Sequence, residues 1–159
     1  MDLMVDIYLN RANNEILLAQ TVKKISENQE DKQNFKLPLD ITFYSSVISH
    51  SYYSIFYAAK AMLLTEGIKT SAPEVHKKTY DKFKEKFVDT GILDVNLLII
   101  YKKAIVKADQ LLDIFKEEKK KRGDFTYTTI PQANKDPADK SLENARTFYN
   151  NINKVIKTK

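Results

Sequence analysis

Residues 94–115, DVNLLIIYKKAIVKADQLLDIF, decide the fold class. Leu97, Tyr101, Ala104, Ala108, Leu111 and Phe115 recur at steps of three and four. That period lines them up on one stripe of an α-helix and on no single face of a strand. Asp94 stands where an N-cap oxygen would take up a free backbone N–H. The run closes with KEEKKKRG, residues 116–123. Its cations suit the negative end of the helix dipole, and Gly123 supplies the stop.

The same period extends outward. Val5, Leu9, Ala12, Ile16 and Ala19 make a stripe within residues 3–28 that turns wet at Lys23. The polar run DKQNFKLPLD, residues 31–40, contains Pro38 and reads as a loop. Asp40 is placed to cap a second helix from about Ile41 to Glu66, which Gly67 would end. Ser71-Ala-Pro-Glu74 has the form of a capping box and opens a third helix, expected to stop at Gly91. Residues 124–137, DFTYTTIPQANKDP, form a long connection. A last helix then starts at Asp136-Pro137-Ala138-Asp139 and carries Leu142, Ala145, Phe148, Tyr149, Ile152 and Val155. Only Phe125–Ile130 leaves room for a short strand. The expectation is an all-α chain: an antiparallel up-and-down bundle of four to five helices, one domain over residues 1–159.

Composition narrows the chemistry. There is no cysteine, so disulfides and cysteine-ligated zinc are excluded. His50 and His76 are the only histidines, isolated from any carboxylate pattern, and they make no metal case. The three glycines, at 67, 91 and 123, are too few for a dinucleotide fingerprint or a P-loop. No cofactor is called for. The formal charge is +5, but only Arg11, Arg122 and Arg146 among the 26 cations are arginine. A lysine-dominated surface of mixed sign reads first as a solvated face, and it leaves RNA binding open. The N-terminus lacks the basic n-region of a signal peptide and no apolar run is long enough to span a bilayer. The expected setting is cytoplasmic, away from membranes.

The second helix carries the unusual pattern. Ser51, Ser54, Ala58 and Ala61 share one face, and Tyr52, Tyr53, Phe56 and Tyr57 lie around it. Small residues at this spacing admit a close helix–helix contact with aromatic packing; they also suit an aromatic-lined cleft or a dimer seam. His50 and His76 read as packing residues, His76 with its neutral form favoured by the helix N-terminus. The cluster Lys119–Arg122 reads as a helix end or as a phosphate-binding patch. In the second case Asp124 would orient a cation and Tyr127 would stack on a base.

The segment His50-Ser-Tyr52-Tyr53-Ser-Ile-Phe56-Tyr57-Ala58-Ala59-Lys60-Ala61 resembles the second-helix signature of HEPN-domain proteins of the small stand-alone prokaryotic kind, which runs roughly Arg-Ala-Tyr-Tyr-Ala-x-Phe-His-Ala-Ala-x-Ala. His76, Phe83, Phe87 and Thr90-Gly91-Ile92-Leu93 match in order. Lys120-Lys121-Arg122-Gly123-Asp124-Phe125 resembles the family's Arg-x-x-Ala-Asp-Tyr stretch. The resemblance implies a helical bundle, a homodimer, and either a ribonuclease toxin paired with a small nucleotidyltransferase antitoxin or a non-catalytic binder of nucleotides or RNA. It implies that catalytic members carry an Arg followed after four to six residues by a His. No Arg precedes His50 or His76 at that distance, and GDFTYTTI follows Arg122 without a His. The expected function is therefore binding of RNA, a nucleotide or a nucleotidyltransferase partner, with no catalytic residue assigned. The expected binding residues are His50, Tyr53, Lys120, Lys121, Arg122, Asp124 and Tyr127. A divergent ribonuclease toxin is the alternative, its centre built from His50 or His76 and the basic cluster.

Overall fold

The computed structural model describes residues 2–121 and 134–159, and for 113–121 the backbone alone. The described residues form six α-helices and no strand: α1 (Leu3–Glu27), α2 (Gln29–Asn34), α3 (Tyr44–Leu64), α4 (Val75–Phe83), α5 (Val95–Lys121) and α6 (Lys135–Thr158). A π-helical turn, Lys84–Val88, continues α4. The all-α expectation holds. No helix among the described residues is long and apolar enough to cross a membrane.

The stripes read from the sequence are the faces that pack. Val5, Leu9, Ala12, Ile16 and Ala19 of α1 are buried, as are Leu97, Tyr101 and Leu111 of α5 and Leu142, Ala145, Phe148 and Ile152 of α6. Helix α3 is the centre: Ser51, Ser54, Ala58 and Ala61 are at most 1% exposed, and α1 and α6 are its main neighbours. The side chains of Ser51, Ser54, Ala58 and Ala61 are short, so neighbouring backbones approach closely. Each large apolar side chain sealed around this seam contributes roughly 1.5–3 kcal/mol. Pairings fix the directions. Glu15 meets His50 and Arg11 meets Tyr57, so α1 runs antiparallel to α3. Lys159 reaches Thr65 and Glu66, so α6 runs parallel to it.

Four helix boundaries depart from the sequence reading. The segment expected as loop begins inside α2, which is capped by the Asn28 side chain on the Asp31 N–H at 2.9 Å. Lys32 of α2 is buried and its Nζ donates to the Leu39 carbonyl at 3.0 Å. Helix α3 starts at Tyr44 rather than Ile41, with Phe43 and not Asp40 at its N-cap. The Phe43 N–H donates across the fold to Ser26 Oγ at 2.7 Å, a partner no local motif could announce. The capping box does not form, because Glu74 is left-handed at φ 57 and α4 begins after it. The last helix opens at Lys135, with Asn134 as N-cap. Gly67 and Asp94 act as expected. Gly67, at φ +69, takes a left-handed turn in which its N–H reaches the Leu64 carbonyl and that of Ile68 the Leu63 carbonyl. Asp94 caps Asn96 at 2.7 Å.

Tyr101 is the largest fully buried side chain among the described residues. Its ring meets Tyr80, Phe83 and Phe148 edge-on, at 5.2, 5.8 and 5.7 Å between centroids. Its hydroxyl has no hydrogen-bond partner, and burial pushes the phenol well above its ordinary range. A buried donor without a partner costs about 1–3 kcal/mol of desolvation. Tyr101→Phe keeps the ring contacts and removes that penalty. Urea unfolding is expected to give a variant as stable as the native chain or up to about 1 kcal/mol more stable; a clear loss would show that the hydroxyl is satisfied in solution.

Candidate functional site

Helix α3 deals its aromatic residues onto two surfaces. Tyr52 and Phe56 face α4. His50, Tyr53, Tyr57 and Lys60 recur at steps of three and four as the neighbouring row, toward α1. Tyr53 touches both sets, since its ring lies 5.6 Å from Tyr52 and 6.3 Å from Tyr57.

On the α4 side, a cleft of about 600 Å³ opens between α3, α4 and α5. Its described walls include Tyr52, Tyr53, His76 and Tyr80, with Ile105, Leu111 and Leu112 adding apolar surface. His76, in the first turn of α4, stacks on Phe56 at 4.2 Å and 24° and lies 5.7 Å from Tyr52. Its Nδ1 is 2.7 Å from Tyr52 Oη. Burial lowers the imidazole's pKa from 6.5, and the Lys60 cation adds to this. Burial raises the Tyr52 phenol, helped by Tyr53 and the Asp109 carboxylate. Both groups are therefore neutral, and a neutral phenol and a neutral imidazole share this hydrogen bond. Neutrality was expected from the helix N-terminus, but burial is the larger cause.

The cleft balances its charge. Lys77, Lys102, Asp81 and Asp109 all line it, and Lys102 has no carboxylate partner among the described residues. Lys77 Nζ is 3.9 Å from Asp81, and Lys102 Nζ lies 5.5 Å from the Tyr80 ring. A flat, uncharged, hydrogen-bonding ring fits such a lining better than a phosphate does.

The α1 side is different. His50 Nδ1 is 2.5 Å from Glu15 Oε2. The Arg11 guanidinium carbon lies 4.3 Å from the Tyr57 ring centroid and its Nη2 donates to Tyr57 Oη at 2.8 Å. Tyr8 stacks on the same ring at 6.0 Å. Lys60 Nζ sits 5.0 Å from the Tyr8 centroid and donates to the Thr70 carbonyl at 3.2 Å. Among the described residues no carboxylate pairs with Arg11 or Lys60.

Of the residues expected from the sequence, Tyr53 lines the cleft, whereas His50 is turned to Glu15 and stands outside its described lining. Lys120 and Lys121 belong to the last turn of α5 by backbone, and their side chains lie outside the described residues. Arg122, Asp124 and Tyr127 lie outside them altogether. Sequence reasoning missed Tyr80, Lys77 and Lys102 in the cleft and Tyr8 and Arg11 beside Tyr57. The available signal was the outer row of α3, where rings and a cation occupy positions that a solvated face would fill with charge alone.

Comparison with known proteins agrees with this architecture. The HEPN domain family model matches residues 25–155. A Methanocaldococcus jannaschii protein named "Putative toxin MJ0142" is 26% identical over 142 residues, covering 89% of this chain and 83% of that protein. A second from the same organism, "Putative toxin MJ0605", is 26% identical over 129 residues, covering 81% and 83%. No solved structure matches the chain significantly. A match over most of the chain, on a helical fold whose aromatic second-helix signature is now α3, establishes that the protein belongs to the HEPN-domain family.

Proposed function

We propose that the protein is a HEPN-family binding module for RNA or nucleotides, and that a base enters the cleft between α3, α4 and α5. The observation that carries this reading is the cleft wall of Tyr52, Tyr53, Tyr80 and a neutral His76, with charges of both signs and no net charge. Aromatic faces stack on any base, at about 1–3 kcal/mol each. The Nε2 of His76 and the Tyr52 hydroxyl can read a base edge. The lysine-rich end of α5 supports the same reading by its sequence.

A second reading is favoured by one contact. Glu15 holds the Nδ1–H of His50, which would leave Nε2 as an acceptor for a ribose 2′-hydroxyl proton. Arg11 stands one turn before Glu15 on α1, where a guanidinium could offset charge on a scissile phosphate. The relatives named as toxins agree with such a ribonuclease, which a nucleotidyltransferase partner would neutralise.

Four outcomes are expected. Tyr53→Ala should weaken binding of a short unstructured RNA about tenfold in fluorescence anisotropy; no binding by the native chain at low salt would remove the reading. In an NMR titration the His76 ring should turn over below 6.5, and Lys60→Gln, which removes the neighbouring cation, should move that midpoint up. Because the unfolded chain protonates this histidine more readily, its contribution to stability is present above pH 6.5 and is lost as pH falls toward the folded midpoint. If the ribonuclease reading is right, purified protein cleaves RNA without added metal and His50→Gln abolishes the cleavage. Intact RNA after prolonged incubation would rule it out.

A further inference from the structure

We propose that Lys107 of α5 is an acylation site: its amine takes the acyl group of a short-chain acyl phosphate whose phosphate rests on Lys103 and Lys140. The inference stands apart from the binding reading above and uses a different face of the fold.

Lys103 and Lys107 lie one turn apart on α5 and line a small hollow between α3, α5 and α6. Lys140 stands against Lys107 from α6, and Ser141 and Asn144 supply the α6 wall. Ile48, Ile100 and Ala104 add apolar surface, and Lys107 is half-buried there. Among the described residues no carboxylate pairs with any of the three lysines. The contrast is local, since earlier on the same helix Lys135 meets both Glu27 and Asp139. From α3 the hollow receives the Tyr52 phenol, which is neutral and offsets none of the positive charge.

Three ammonium groups without a counter-ion repel one another, and the half-buried one gives up its proton most readily. Burial, then Lys140 and Lys103, hold the Lys107 amine below the ordinary lysine value of 10.5. An amine partly withdrawn from water beside other cations is an activated nucleophile.

The same charges choose the electrophile. An acyl phosphate carries its negative charge on the leaving group, so Lys103 and Lys140 hold the phosphate while the carbonyl carbon faces Lys107. Lys107 Nζ, as the free amine, attacks that carbon. The C–N bond forms, the C–O bond to phosphate breaks, and phosphate leaves with the bonding electrons. The surplus proton on nitrogen passes to water. The two remaining ammonium groups stabilise the charge gathering on the departing phosphate. The resulting amide is uncharged, so the reaction relieves the crowding that drove it. It also places an acyl group beside Tyr52, which lines both this hollow and the cleft.

The test incubates the full chain with acetyl phosphate in mildly alkaline buffer and follows each lysine by peptide mass spectrometry. Lys107 is expected to react about tenfold faster than Lys24, whose side chain is 72% exposed. Its rate should reach half-maximum below pH 10.5. Lys140→Gln, a change at an exposed position, should slow Lys107 about fivefold with acetyl phosphate. The slowing should be clearly smaller with the neutral acetyl ester of N-hydroxysuccinimide, which has no phosphate to hold. Lys103→Gln gives the same readout from α5. Equal slowing with the two donors would overturn the phosphate-holding role of Lys103 and Lys140. A Lys107 modified no faster than Lys24 by acetyl phosphate would overturn the site itself.

Discussion

The close packing along α3 constrains everything around it. Ser51, Ser54, Ala58 and Ala61 leave so little bulk on one side of the helix that its neighbours press against its backbone. Tyr52 and Phe56 take up the space toward α4, and Tyr53 and Tyr57 the space toward α1. The cleft and the aromatic row are thus two results of one packing decision, and a bulky residue placed in the seam would disturb both at once.

Much of the fold was legible because burial and periodicity are the same fact in a helix. The stripes of α1, α5 and α6 are the buried faces, and Gly67 and Asp94 mark ends through local geometry alone. What could not be read depends on partners distant in sequence. The start of α3 waits on a hydroxyl from α1, Ser26, and α2 is held by the buried stem and amine of Lys32. The Ser71–Glu74 box failed although its residue types were right, because the backbone at Glu74 turns left-handed instead of entering the helix.

The site divides in the same way. Tyr53 could be chosen from sequence because the whole of α3 is unusual there. The pairs that give the residues chemical meaning cross between elements: Tyr52 with His76, Glu15 with His50, Arg11 with Tyr57. A list of residues could not separate the two histidines. The fold gives one to a phenol in a cleft and the other to a carboxylate on the opposite flank. They have different hydrogen-bond partners, so the two rings sit in separate environments.

The π-helical turn after α4 bears on how the chain tolerates a change of length. Across Lys84–Val88 the hydrogen bonds reach one residue further than in an α-helix, as from the Asp89 N–H to the Lys84 carbonyl at 2.9 Å. The chain holds one residue there beyond what a regular helix requires, while Phe83 and Phe87 stay fully buried. Losing that residue would let the ladder close normally without shifting the phase of the flanking helix. In α1 or α3 the same deletion would rotate every later side chain by about 100° and pull the stripe off the core. A single-residue deletion is therefore better tolerated at this turn than inside α1 or α3, where the frame is fixed.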